Sequence, residues 1–166
     1  MKKAAASSIL CAVVLLAVAV IAEGQQSKKV ARMGYLTGTS VSADSARIEA
    51  FRQGLRAIGY VEGKNIVIEW RSAEGNSDRW SLLAADLVRL NVDVIVTAGS
   101  GTTRAAKGAT STIPIVMASD DDPIANGFVA SLARPGGNIT GLSQLSPELS
   151  GKRLEILKEV VLKLSA

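Results

Sequence analysis

An open α/β fold, a parallel sheet of about five strands flanked by helices, is predicted from three features of the sequence. Short apolar runs alternate with amphipathic stretches of helical period along the chain beyond its first segment. Two of those runs, Val92-Asp-Val-Ile-Val-Thr97 and Ile113-Pro-Ile-Val-Met117, are almost unbroken by polar residues, as strands covered on both faces must be. Gly-, Ser- and Thr-rich loops follow several of the runs, in the place where such sheets present their ligand crevice. With 166 residues, 48% of them hydrophobic, the chain can bury one core but not two ordinary ones.

The amino-terminal segment stands apart. Lys2 and Lys3 precede an apolar stretch from Ile9 to Ala22, and Glu23-Gly-Gln-Gln-Ser27 is abruptly polar, the pattern of a secretory signal peptide cleaved before Glu23 or, as the alternative, after Gly24. The apolar stretch is shorter than the roughly 20 residues of a membrane span. Leu10 stands where lipidation of Cys11 would want a small residue, and the rest of the chain has no cysteine, which suits an oxidising compartment.

The remaining elements follow in order. Val30-Ala-Arg-Met-Gly-Tyr-Leu36 is predicted as a strand, and Ile48, Phe51, Leu55 and Ile58 as the stripe of a helix stopped by Gly59. In Asn65-Ile-Val-Ile-Glu-Trp-Arg71, Ile66, Ile68 and Trp70 share one face while Val67, Glu69 and Arg71 share the other, which places this strand at a sheet edge. Trp80, Leu83, Ala84, Leu87 and Leu90 mark a second helix, and an Ala-rich helix runs to about Ala109 after Gly99-Ser-Gly-Thr-Thr103. Asp122-Pro123 is predicted to open a further helix, carboxylate at the cap and proline in the first turn, ending near Arg134. Ile139 to Ser143 is the fifth strand, and Leu154, Leu157, Val161 and Leu164 form the stripe of a last helix.

Composition excludes several functions. Without histidine there is no imidazole base, no His-based serine triad and no His-containing zinc site. A formal charge of +4 with no basic run longer than two residues gives no case for nucleic acid. Three loops remain as candidate site: Thr37-Gly-Thr-Ser-Val-Ser42, Ala98-Gly-Ser-Gly-Thr-Thr103 and Ala118-Ser-Asp-Asp-Asp-Pro123. Gly99, Ser100 and Gly101 stand directly before a helix, where free backbone N–H groups favour an anion, a carboxylate or a phosphate; Ser100 or Thr102 acting only as a helix cap is the alternative. Asp120, Asp121 and Asp122 suit a ligand ammonium or a metal ion, although Asp122 is already explained as a cap and nothing else supplies metal ligands at suitable spacing. Trp70 and Trp80 fall at core positions, where packing is their expected work.

Several stretches resemble the solute-binding proteins of ABC transporters with a type I periplasmic-binding-protein fold, a family that includes tryptophan- and tyrosine-binding members. They are Glu49-Ala-Phe-Arg-Gln-Gly-Leu-Arg56, Gly59-Tyr-Val-Glu-Gly-Lys-Asn-Ile66, Val92-Asp-Val-Ile-Val-Thr-Ala98, Ser111-Thr-Ile-Pro-Ile115, Leu132-Ala-Arg-Pro-Gly-Gly-Asn138 with Ile139-Thr-Gly-Leu142, and Gly151-Lys-Arg-Leu-Glu155. The resemblance implies a two-lobed periplasmic receptor, without cofactor or catalysis, that closes on a small amino-acid-like or carboxylate solute and presents it to a membrane permease. Family members are about twice this length. The implied division is a signal peptide over 1–22, an amino-terminal lobe over 23–145, and a crossover helix over 146–166 toward a second lobe missing from this chain. Carried over residue by residue, the implied pocket comprises Thr37, Ser40, Gly99, Ser100, Thr102, Ser119 and Asp120, with no metal. Gly-Ser-Gly-Thr-Thr replaces the commoner Thr-Pro or Thr-Ala of the second loop, and Asp-Asp-Asp a less charged run in the third, so the solute's identity stays open. Two other readings compete: an interaction module pairing through the last helix, and an Asp-based enzyme using Asp120 or Asp121 in the same crevice.

Overall fold

Residues 30–144 and 146–164 are described by the computed structural model. The expected signal peptide lies outside them. Five strands, β1 (Ala31–Thr37), β2 (Ile66–Ser72), β3 (Val94–Ala98), β4 (Ile115–Asp120) and β5 (Ile139–Ser143), form one sheet in the order β2-β1-β3-β4-β5. Every pairing is parallel. The chain therefore winds outward from β1 to β2, then crosses back over β1 to β3, so strand order reverses between β1 and β3.

Helices cover both faces. On one face α1 (Ser45–Ala57) lays Phe51 and Leu55 against Tyr35, Ile66, Ile68 and Val96. Tyr35, Phe51 and Trp70 form an aromatic cluster there, with ring centroids 4.9–6.4 Å apart and the Arg52 guanidinium 4.8 Å above the Trp70 ring. Ile58 falls beyond the helix and is 70% exposed, so the stripe ends one turn earlier than the spacing predicts. On the other face α2 (Trp80–Arg89), preceded by a 3-10 turn over Ser77–Arg79, buries Leu83, Ala84 and Leu87. Beside it α3 (Ser100–Ala109) buries Thr102, Thr103 and Ala106. Leu36, Ile95, Ile115, Met117 and Ile139 complete this larger core from the sheet.

As expected, β2 is an edge strand with Ile66 and Ile68 buried and Val67 exposed. The helix predicted over 123–134 does not form. Asp122 does cap, its Oδ1 accepting from the Ala125 amide at 2.9 Å, and the Phe128 amide reaches the Pro123 carbonyl at 2.8 Å. Gly127 then takes φ +68°, outside the helical region, and the segment continues as turns. Phe128 and Val129 still bury themselves in the larger core, so the apolar residues that suggested a helix are satisfied without one. The last helix, α4 (Ser146–Leu164), exposes Leu154 by 66% and Leu157 by 58%.

One irregularity positions a residue of interest. Thr97 pairs with Met117, but Ala98 pairs with Ser119, so β4 carries one extra residue near its carboxyl end. The same extra residue shows against β5, where Met117 pairs with Gly141 and Asp120 with Ser143. Strand side chains alternate between faces, so the insertion shifts the parity and makes Asp120 a buried residue in line with Ile115 and Met117.

Candidate functional site

All three loops singled out from sequence leave the carboxyl ends of adjacent strands β1, β3 and β4, with the reversal of strand order between the first two. In a parallel sheet these loops share one rim. The amino-termini of α1 and α3, which follow the first two of these loops, point at the same rim, and the first-turn N–H groups of α3 have no partner within their own helix.

In the β1 loop the hydroxyls are largely committed. Thr37 is buried and donates to Asp44 Oδ2 at 2.6 Å, Thr39 donates to the same oxygen at 2.7 Å, and the Arg47 guanidinium sits 2.6 Å from Oδ1. Burial works to raise the Asp44 carboxyl, but the two hydroxyls and Arg47 outweigh it and hold the group below its ordinary range. The same carboxylate, after burial itself, helps push the Tyr35 phenol upward. Ser40 Oγ lies 3.0 Å from Ser42 Oγ and accepts from the Ala43 amide, which makes it a turn-stabilising hydroxyl at the loop surface.

In the β3 loop Gly99 takes φ +100° and ψ 159° as it leads into α3. Thr102 and Thr103 both donate to the Gly99 carbonyl, at 2.9 and 3.0 Å, and Thr103 also meets Thr97 Oγ1 at 2.8 Å. The Thr102 side chain is thus turned inward and buried, while Ser100 keeps partial exposure at the rim.

At the end of β4, Asp120 is 2% exposed. Its Oδ1 accepts from the Asp122 amide and from Asn126 Nδ2, both at 3.1 Å, while Oδ2 has no hydrogen-bond partner among the described residues. Asn126 ties the cluster together: its Nδ2 also lies 3.4 Å from Ser100 Oγ, and its Oδ1 accepts from Arg104 at 3.2 Å. Ser119 is half-buried, and its carbonyl accepts from the Gly99 amide at 3.3 Å, joining the β3 and β4 loops. Asp44 and Asn126 were not picked out from sequence. Asp44 carried a signal, being the first charge after a run of hydroxyls; Asn126 carried none beyond its place before a glycine. Among the described residues no group of three or more His, Cys, Asp or Glu could hold a metal ion.

Residues 36–165 match the family described as ABC transporter substrate binding protein. The chain belongs to this family. Among its relatives, a "Tyrosine-binding protein" of Clostridioides difficile is 35% identical over 123 residues, covering 74% of this chain and 34% of the relative. A solved "conserved domain protein" from Vibrio cholerae superposes with a TM-score of 0.72 at 37% identity, over 79% of this chain and 44% of that one. An ABC domain from Streptococcus pneumonia, solved in complex with L-Trp, superposes at 0.64 with 28% identity, over 68% and 38% of the two chains. This substrate-binding protein chain thus spans less than half the length of each of them.

Proposed function

We propose that this chain is the solute-capturing lobe of a periplasmic substrate-binding protein that hands a small amino-acid-like or carboxylate solute to an ABC permease. The observation that carries the reading is the convergence of the β1, β3 and β4 loops on one rim at the reversal of strand order, with the first turn of α3 among them. In this reading the amides of Ser100 and Gly101 receive the solute's carboxylate, helped by the helix dipole. Asp120, with its unpartnered buried oxygen, receives a donor such as an ammonium. Ser100, Ser119 and Ser40 supply the remaining polar rim, and Thr37 and Thr102 brace the loops through bonds to Asp44 and Gly99 rather than touching solute. The tyrosine-binding relative and the L-Trp complex support an amino-acid solute.

Export through the Lys2-Lys3 and Ile9–Ala22 segment fits the same role. The exposure of Leu154 and Leu157 supports a reading of α4 as the crossover toward a second lobe, against which these residues would be covered.

Calorimetric titration of the purified chain with L-tyrosine, L-tryptophan and simple carboxylates tests the proposal. Saturable heat and a raised melting temperature are expected for at least one of them, and Asp120→Asn should weaken an amino acid about tenfold or more while sparing a plain carboxylate. Silence across the panel would overturn solute capture by this chain.

A further inference from the structure

Trp80, the first residue of α2, sits between two loops of the candidate site. A Cβ placed on Gly38, in the β1 loop, would lie 3.4 Å from the indole Nε1 and 3.5 Å from Cζ2. A Cβ placed on Gly101, in the first turn of α3, would overlap the six-membered ring, 2.8 Å from Cε3 and closer still to Cζ3 and Cη2. Nε1 is itself buried without an acceptor. No hydrogen bond among the described residues anchors the indole, so its placement between the two loops rests on packing. Gly101 is the residue that lets it enter, while a Cβ at Gly38 would meet the other edge of the ring at ordinary van der Waals distance. Neither contact depends on an unusual backbone at Gly101, whose φ is not in the left-handed region; the requirement there is space.

We infer that Trp80 is a positioning residue of the cleft: its indole is the spacer that sets how far the Gly38 loop stands from the first turn of α3, and hence the width of the rim where a solute carboxylate would bind. This rests on the solute reading above for its function, and on packing alone for its structure. Removal of the ring leaves both loops without a common wall, whereas a methyl group added at position 101 pushes the same ring away.

A double-mutant cycle on the full chain with Gly101→Ala, Trp80→Leu and the combination tests it, read by melting temperature and by amide hydrogen exchange of the unliganded protein. Gly101→Ala alone should lower the melting temperature by about 5 °C or more. In the Trp80→Leu background the same change should cost less than half as much. Exchange should quicken in Trp80→Leu at both residues 38–40 and 100–103, with the 110–113 turn unchanged. An equal cost of Gly101→Ala in both backgrounds, or faster exchange at only one loop, overturns the inference. Trp80→Phe, which keeps a ring, stands in should Trp80→Leu not fold, and it should restore most of the protection. L-tyrosine titration separates the two proposals. Weakening of about tenfold in Trp80→Leu with near-normal affinity in Trp80→Phe supports the positioning role, and equal affinity in all three overturns it. If wild-type chain takes up no L-tyrosine, the L-tyrosine arm counts against solute capture, and the exchange cycle alone decides the spacer.

Discussion

Asp44 shows how a single carboxylate can organise a loop that sequence presents as a set of free hydroxyls. In the sequence Thr37 and Thr39 stand as two hydroxyls of a candidate loop, and in the fold both donate to one buried oxygen. Which way a hydroxyl turns depends on what the chain brings back several residues later, and no local pattern encodes that. Replacement of Asp44 by Asn should cost about 1.5–3 kcal/mol near neutral pH, the worth of hydrogen bonds to a buried charge, measured by denaturant or thermal unfolding. The cost should depend on acid. The folded carboxyl is held below its ordinary value of 3.8, so its contribution is complete above the unfolded value and fades as pH falls through the folded one. Wild type and Asp44→Asn should accordingly converge in stability in strong acid. A gap that stays constant from neutral to acid would show that the charge is not what holds the loop.

At the level of elements, the strands and all four helices were legible, the strands and α1 to α3 because each buries a face with its own period and α4 from its apolar stripe alone. Ile66 and Ile68 alternate with exposed Val67, and Leu83, Ala84 and Leu87 recur on one side of α2. The segment after Asp122 was misread for a reason equally local: the cap and the proline are a true helix start, but Asn126-Gly127 ends it after one turn. The extra residue in β4 left no trace in composition, because Ala118 and Ser119 are as acceptable in a regular strand as in a bulge. That insertion decides that Asp120 is buried, so the burial of the most chemically distinctive candidate was out of reach from sequence. The same scale carries a prediction on α2. Leu87 is fully buried, and a Cβ on Gly34 of β1 would lie 2.8 Å from its Cδ1, so helix and strand meet here with nothing to spare. Leu87→Ala should destabilise the protein by about 3 kcal/mol through lost contacts and the cavity left behind, seen as a reduced unfolding midpoint.

For the molecule as a whole, stability resides in the sheet and its two helical layers, not in α4. Leu154 and Leu157 are mostly in solvent, so the double change Leu154→Ser and Leu157→Ser should move the melting temperature by no more than about 1–2 °C. A loss of several degrees would mean that α4 closes on the sheet in solution. The architecture also explains why the rim was legible while its chemistry was not. A parallel sheet with crossovers must gather its strand-end loops, so Ser40, Gly99, Ser100, Ser119 and Asp120 are brought to one end by topology alone. Contacts such as Trp80 with Gly38 and Gly101 arise between elements far apart in the chain, and only the packed fold reveals them.

The two margins of the sheet are unequal. Along β2, Glu69 stands between Arg32 and Arg71, 3.9 and 3.7 Å away, and a second molecule adding a strand there would have to strip water from all three. Along β5, Thr140, Gly141 and Leu142 are uncharged and exposed, with Leu142 68% in solvent. Charge therefore guards one margin against strand-to-strand stacking and is absent from residues 140–142 of the other, so ordered aggregates seeded by partly unfolded molecules should grow from the β5 margin, where a lysine in place of Leu142 would slow them.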